Sequence, residues 1–135
     1  MAELVVVDTN VIITAIISGS PYVIDRLSDP LISIAAPKSL IVELFSHSPR
    51  IQKTSNLLEQ EIFDTLSTVI EFIRLFDEVE ISIGSWTEAY RLVGDVDEKD
   101  APFVALALEL NARLWTNDRP LTLGLKRKGF LKFYP

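Results

Sequence analysis

The chain has 135 residues, 48% of them hydrophobic, with 19 acidic against 13 basic side chains and a net charge of −6. That length gives one domain able to bury roughly two-thirds of its unfolded surface, and the acidic balance argues against a nucleic-acid binder that relies on a basic surface throughout. Without cysteine, a disulfide framework, a thiolate zinc site and a cysteine nucleophile are excluded.

From the N-terminus, Leu4-Val5-Val6-Val7 is an unbroken apolar run that suits a strand buried on both faces of a parallel sheet. Asp8 closes it, and Val11, Ile12, Ile13, Ala15, Ile16 and Ile17 then read as a buried helix. Asp8 is thereby placed at a strand-to-helix turn, on the edge where open parallel sheets bind ligands. No basic leader precedes Glu3 and Asp8, and no run approaches the ~20 apolar residues of a membrane span. The expectation is a cytoplasmic protein with no membrane contact.

Gly19-Ser20-Pro21 punctuates, Tyr22 to Leu27 predicts a short helix, and Leu31 to Ala36 predicts a second strand stopped by Pro37. Ser39 to Phe45 carries Leu40, Ile41, Leu44 and Phe45 on one helical stripe, with Glu43 on its flank. After Ser48-Pro49 breaks that helix, 54–76 reads as one long amphipathic segment through Leu57, Leu58, Ile62, Leu66, Val69, Ile70 and Ile73. Glu80 to Ile83 alternates like a strand, and Trp86 to Val93 predicts another helix. A polar loop, Gly94 to Asp100, leads into an Ala-rich buried helix from Ala101 to Leu110. Arg113 to Thr116 predicts a strand, Asn117-Asp118 a turn, Leu121 to Leu125 a short helix ended by Gly129, and Phe130 to Tyr134 a last strand. Alternation of this kind is that of parallel α/β folds.

Each acidic residue has an ordinary explanation. Asp8 or Thr9 can cap the first helix and Asp118 the helix after it; Asp97 and Asp100 can form a capping pair; Glu43 can face solvent. Capping does not require them to converge, however. Asp8 and Asp118 both follow apolar strands, and Asp100 opens a helix that can begin on the same edge. If Glu43 projects there too, four like charges repel and must protonate or hold metal. Oxygen-only ligation suits Mg²⁺ or Mn²⁺ rather than zinc. Other chemistries are poorly supplied: His47 is the one histidine and reads as a helix-flank residue, no G-x-S-x-G elbow, Walker A loop or G-x-G-x-x-G turn occurs, and Trp86 and Trp115 read as core. Lys126, Arg127, Lys128 and Lys132 form a basic C-terminal patch that a polyanion can use despite the acidic total.

Asp8-Thr9-Asn10 after a hydrophobic strand, Glu43 after strand two, Asp100-Ala101 leading into Val104-Ala105-Leu106-Ala107, and Thr116-Asn117-Asp118 after a Leu-Trp strand together resemble the PIN domain family, the fold of VapC-like toxin ribonucleases. The resemblance spans 1–135 as a single PIN-like nuclease domain. It implies a three-layer α/β/α sandwich with a central parallel sheet and Mg²⁺- or Mn²⁺-dependent endoribonuclease activity on RNA, commonly as the toxin half of a toxin-antitoxin pair. Asp8, Glu43, Asp100 and Asp118 match its four acidic positions, as catalytic residues and metal ligands. Asn10 and Thr116 match its polar companions. Asp97 is an additional acid that either supplements Asp100 as a ligand or takes its place, and Pro102 departs from the pattern in a way a first helical turn tolerates. An antitoxin protein and a homodimer or higher homo-oligomer are the implied partners.

A competing reading is a protein-interaction or RNA-binding module with little turnover, in which the apolar faces of Ile12 to Ile17 and of Leu57 to Ile73 serve association instead of the core. A third, a phosphatase using Asp8, wants a second aspartate where Asn10 stands.

Overall fold

Three consecutive valines with no exposed surface, Val5, Val6 and Val7, make β1 (Glu3–Val7) the centre of the sheet. β-Branched residues covered on both faces suit an interior parallel strand. The computed structural model describes residues 2–19 and 21–135; Ser20, part of the predicted punctuation, lies outside them with Met1. β1 pairs with β2 (Ile32–Pro37) on one side and with β4 (Arg113–Trp115) on the other, and β3 (Ile73–Phe76) pairs with the far side of β2. All pairings are parallel, in the order β3-β2-β1-β4, with Val6 opposite both Ala35 and Leu114.

The crossovers set the layers. From β1 the chain runs through α1 (Thr9–Ser18) and α2 (Pro21–Leu27) to β2, then through α3 (Ser39–Ser46), α4 (Ser48–Ser55) and α5 (Glu59–Glu71) to β3. Both connections step in one direction across the sheet. The next, through α6 (Ile83–Val93) and α7 (Ala101–Leu110), steps back past β1 to β4. Right-handed crossovers in opposite directions put their helices on opposite faces, and the packing agrees: α1 lies against α2, α3 and α4, whereas α7 lies against α6, β1, β2 and β4, and α8 (Arg119–Arg127) against α6. The result is an α/β/α sandwich around a four-stranded parallel sheet. The strand order reverses between β1 and β4, and crevices at the carboxyl ends of strands form at such a switch point.

Three expectations are corrected. The segment 54–76 is not one amphipathic helix: Asn56, at φ 62°, ends α4, and after α5 the chain turns at Phe72 so that Ile73 can pair opposite Ile34. Helical periodicity continues into Ile73, which hides the strand. Glu80 to Ile83 is not a strand: 78–80 is a 3₁₀ turn, Ile81 alone is buried, and Ser82 caps α6 by accepting the Ser85 N–H. Phe130 to Tyr134 makes only one bridge, Leu114 to Phe133, although Leu114 also exchanges backbone hydrogen bonds with Lys132 and Tyr134.

The apolar faces offered for association are largely spent on the core. Ile12, Ile13 and Ile16 on α1, and Ile62, Leu66 and Val69 on α5, are all buried. Gly124 of α8 lies so close to the polar loop that a Cβ would sit 2.7 Å from the Val96 side chain, which fixes α8 against the segment leading to Asp97. Among the described residues no helix is long and apolar enough to cross a membrane.

Candidate active site

Among the described residues, Asp8 and Thr9 are the only buried polar or charged ones, and both stand at the carboxyl end of β1. Burying a carboxylate is costly unless something compensates. Asp8 has the backbone position of an N-cap but its side chain does not cap α1. Instead the Thr116 hydroxyl, just past β4, donates to Asp8 Oδ2 at 2.8 Å. Thr116 Oγ1 also accepts the Asp118 N–H at 3.1 Å, so one hydroxyl ties the ends of the two strands flanking the switch point. Asn10 Oδ1 accepts the Asn117 N–H at 3.3 Å, a second tie across the same gap.

The other acids arrive from separate elements. Glu43 comes from the middle of α3, and the Thr9 hydroxyl donates to its Oε2 at 2.5 Å. Asp118 caps α8, accepting the Leu121 N–H on Oδ1 at 3.0 Å, so the ordinary explanation holds for that one oxygen. Asp100 precedes α7 without capping it, and its Oδ2 is buried with no hydrogen-bond partner. Asp97 is exposed and accepts the Lys99 N–H at 3.0 Å, capping the 3₁₀ turn 98–100.

All five carboxylates line one open cleft of about 580 Å³, together with Thr9, Asn10, Ile13, Thr14, Ser46, His47, Arg50 and Lys99. The strands and α3 supply one side, and the turn before α7 supplies the other. Thr116 stands behind Asp8 as its donor rather than in the lining. Among the described residues no three acidic or histidine side chains are already drawn into a closed ligand set; the acids are donors distributed around a shared space.

Two of the acids, Asp8 and Asp100, bear the effect of burial and of neighbouring like charge. Burial pushes the Asp8 carboxyl up to about 6, opposed by the Thr116 and Thr9 hydrogen bonds and aided by Glu43 and Asp118. Asp100 is pushed up to about 7, first by burial and then by Asp8, Asp118, Asp97 and Glu43 in turn. Burial and like charge both disfavour the ionised carboxyl, and a divalent cation bound among these oxygens would offset both. The donors are oxygens, apart from the single histidine, and one buried oxygen of Asp100 has no partner. This set fits a hard divalent ion such as Mg²⁺ or Mn²⁺.

Among the lining residues able to carry positive charge, sequence reasoning read His47 only as a helix-flank residue and did not place Arg50 or Lys99 at the site. A signal existed for two of them, since His47 and Arg50 follow Glu43 by four and seven residues, the spacing of one helical face. The break at Ser48-Pro49 concealed it: α4 starts directly where α3 stops.

A three-layer parallel domain with an acid-lined cleft at its topological switch point defines a class of metal-fitting α/β proteins. Within that class the chain belongs to the PIN domain family, whose profile matches residues 6–132. Members of this family are generally nucleases that use divalent metals. Among solved structures, the fold is similar to a chain of VapBC2 from Rickettsia felis bound to a DNA fragment from their promoter, at a TM-score of 0.73 and 18% identity over 97% of both chains. It is also similar to PAE2754 from Pyrobaculum aerophilum, at 0.63 and 16% identity over 93% of this chain and 81% of that one. At those identities the likeness speaks for the fold. No curated protein matches the chain in sequence.

Proposed function

We propose that the chain is a divalent-metal-dependent endoribonuclease acting with Mg²⁺ or Mn²⁺, and the toxin component of a toxin-antitoxin pair. The observation that carries this reading is the gathering of Asp8, Glu43, Asp100 and Asp118 around one cleft, with a buried Asp100 oxygen lacking any partner. Bound ions would supply positive charge against the phosphoryl oxygens and lower the pKa of water for in-line attack on phosphorus.

Asp8 and Asp100 act as direct ligands in this scheme. Thr116 holds Asp8 by its Oδ2, and Asp100 offers the unpartnered Oδ2. Thr9 orients Glu43, which with Asp118 completes the ligand shell or aligns the attacking water. Asp118 brings its Oδ2, while its Oδ1 caps α8. Asn10 fixes the spacing of the β1 and β4 ends. Asp97, exposed and engaged with Lys99, supplements Asp100 at the rim. The protein partners in this reading are an antitoxin and a second copy of the chain, in the cytoplasm.

The test is cleavage of RNA with Mg²⁺ or Mn²⁺, abolished by EDTA, beside a thermal-shift titration that reads ion binding without turnover. An Asp8→Asn or Asp100→Asn protein that cuts as well as the parent and keeps the parental ion-induced shift would sink it. Co-purification with a neighbouring gene product, and light scattering, test the partner and the oligomeric state.

A further inference from the structure

The cleft also holds two cations with nothing to do. Arg50 and Lys99 line it beside five carboxylates, yet neither makes an ion pair with any of them. Ion pairs among the described residues lie elsewhere: Lys38 with Asp77, Arg91 with Glu88, Arg113 with Glu3, and Lys128 with Asp95. The two backbone positions are fixed although the side chains are exposed. Arg50 sits in the first turn of α4, next to fully buried Ile51, in the helical layer that packs on α1. Lys99 sits in the 3₁₀ turn before α7, its N–H tied to Asp97, in the opposite layer. One free cation therefore stands on each wall of the cup.

We propose that Arg50 and Lys99 are positioning residues that hold the backbone phosphates on either side of the scissile one, so that a single RNA strand crosses the cup from one helical layer to the other. This rests on the ribonuclease reading. The physical need is plain: a strand carries a charge at every nucleotide, and ions within the cup offset only the phosphate they touch. Its neighbours would meet Asp97, Asp118 and Glu43 unscreened unless a cation on each wall receives them. Arginine can fork onto a phosphate, while lysine acts as a point charge.

Arg50→Gln and Lys99→Gln test this in the full chain. Each is expected to raise KM for an oligoribonucleotide about fivefold while kcat stays within about twofold, and to lower the slope of log Kd against log salt by about 0.7, the share of one single-strand phosphate contact. Binding is read in an Asp100→Asn background so that the strand stays whole. Arg50→Lys should retain the slope. On a dinucleotide, whose one phosphate is the scissile one, the substitutions should leave kcat/KM unchanged. A parent that cuts RNA while both variants keep its KM and slope overturns the inference and spares the nuclease reading, as does a loss confined to kcat. A parent that neither binds nor cuts RNA takes both down.

Discussion

The two ends of α1 are built on opposite terms. At its N-terminus, Asp8 and Thr9 bury a carboxylate and a hydroxyl among other acids. At its C-terminus, Ala15, Ile16 and Ile17 with Ile24 and Leu57 form the apolar part of a cleft of about 520 Å³ that Asp25, Ser55 and Thr65 also line, and Gly19, at φ 67°, closes the helix in the left-handed conformation that glycine adopts without strain. One helix thus joins a region that contributes stability to a region that consumes it. The acidic end is worse than an apolar one by the criterion of folding, which is the signature of a part kept for chemistry.

The largest effect should come from the acidic end. Asp100→Asn removes a charge from the cup while leaving the fold alone, so RNA cleavage is expected to fall about 10²- to 10³-fold. Thermal unfolding without ions should shift upward, because one source of repulsion has gone. The matching substitution at the other end behaves in the reverse sense. Ile16→Ala deletes buried apolar atoms and should cost about 2–3 kcal/mol in a urea titration, with kcat of the folded fraction unchanged. Loss of activity without loss of stability at one end, and the converse at the other, is the contrast to be broken.

How far this contrast was legible in the sequence depends on which residues carry it. The valine run fixed β1, and a carboxylate directly after it marked the site edge, because a strand buried on both faces tolerates no polar residue until it ends. Asp118 and Asp100 were legible for the same reason, each standing where an apolar segment begins or stops. Glu43 was not determined by pattern, since a flank position on α3 faces the cleft only because α3 follows β2 back over the switch point. β3 was hidden because Ile73 continues the helical period of α5, and local periodicity cannot tell a last helical turn from a strand whose partner is Ile34, distant in sequence. The Thr9 to Glu43 bond spans 34 residues and leaves no local trace.

The acidic end also makes stability depend on pH. Asp8 is protonated more readily in the folded chain, at about 6 against an ordinary 3.8, so the folded state binds the extra proton between those values. Ion-free stability therefore should fall as pH rises from about 4 to about 7, by about 2–3 kcal/mol from Asp8 alone at 1.36 kcal/mol per unit. Asp100, pushed up to about 7, adds to the fall in the same direction. Asp8→Asn should remove the Asp8 share of the fall and leave a shallower profile due to Asp100. Mg²⁺ should restore the parent at pH 7 and do little near pH 4, where the carboxyls are protonated. Melting temperatures across pH with and without the ion check this; a profile that rises through the same window would mean that Asp8 is held ionised.

Thr116 allows the smallest and most specific perturbation. Its hydroxyl donates to Asp8 and accepts from the Asp118 N–H, so Thr116→Val removes both while conserving shape. Losing a group that orients a ligand should reduce cleavage about tenfold. The hydrogen bond from Thr116 holds the Asp8 carboxyl down, so its loss should move the pH-dependent fall in ion-free stability to higher pH. Thr116→Ser keeps the hydroxyl and should restore both readouts. If valine lowers cleavage but leaves the pH profile where it was, Thr116 acts through the β4 end and Asp118 rather than through Asp8, and the acidic end of α1 is organised from its neighbour strand.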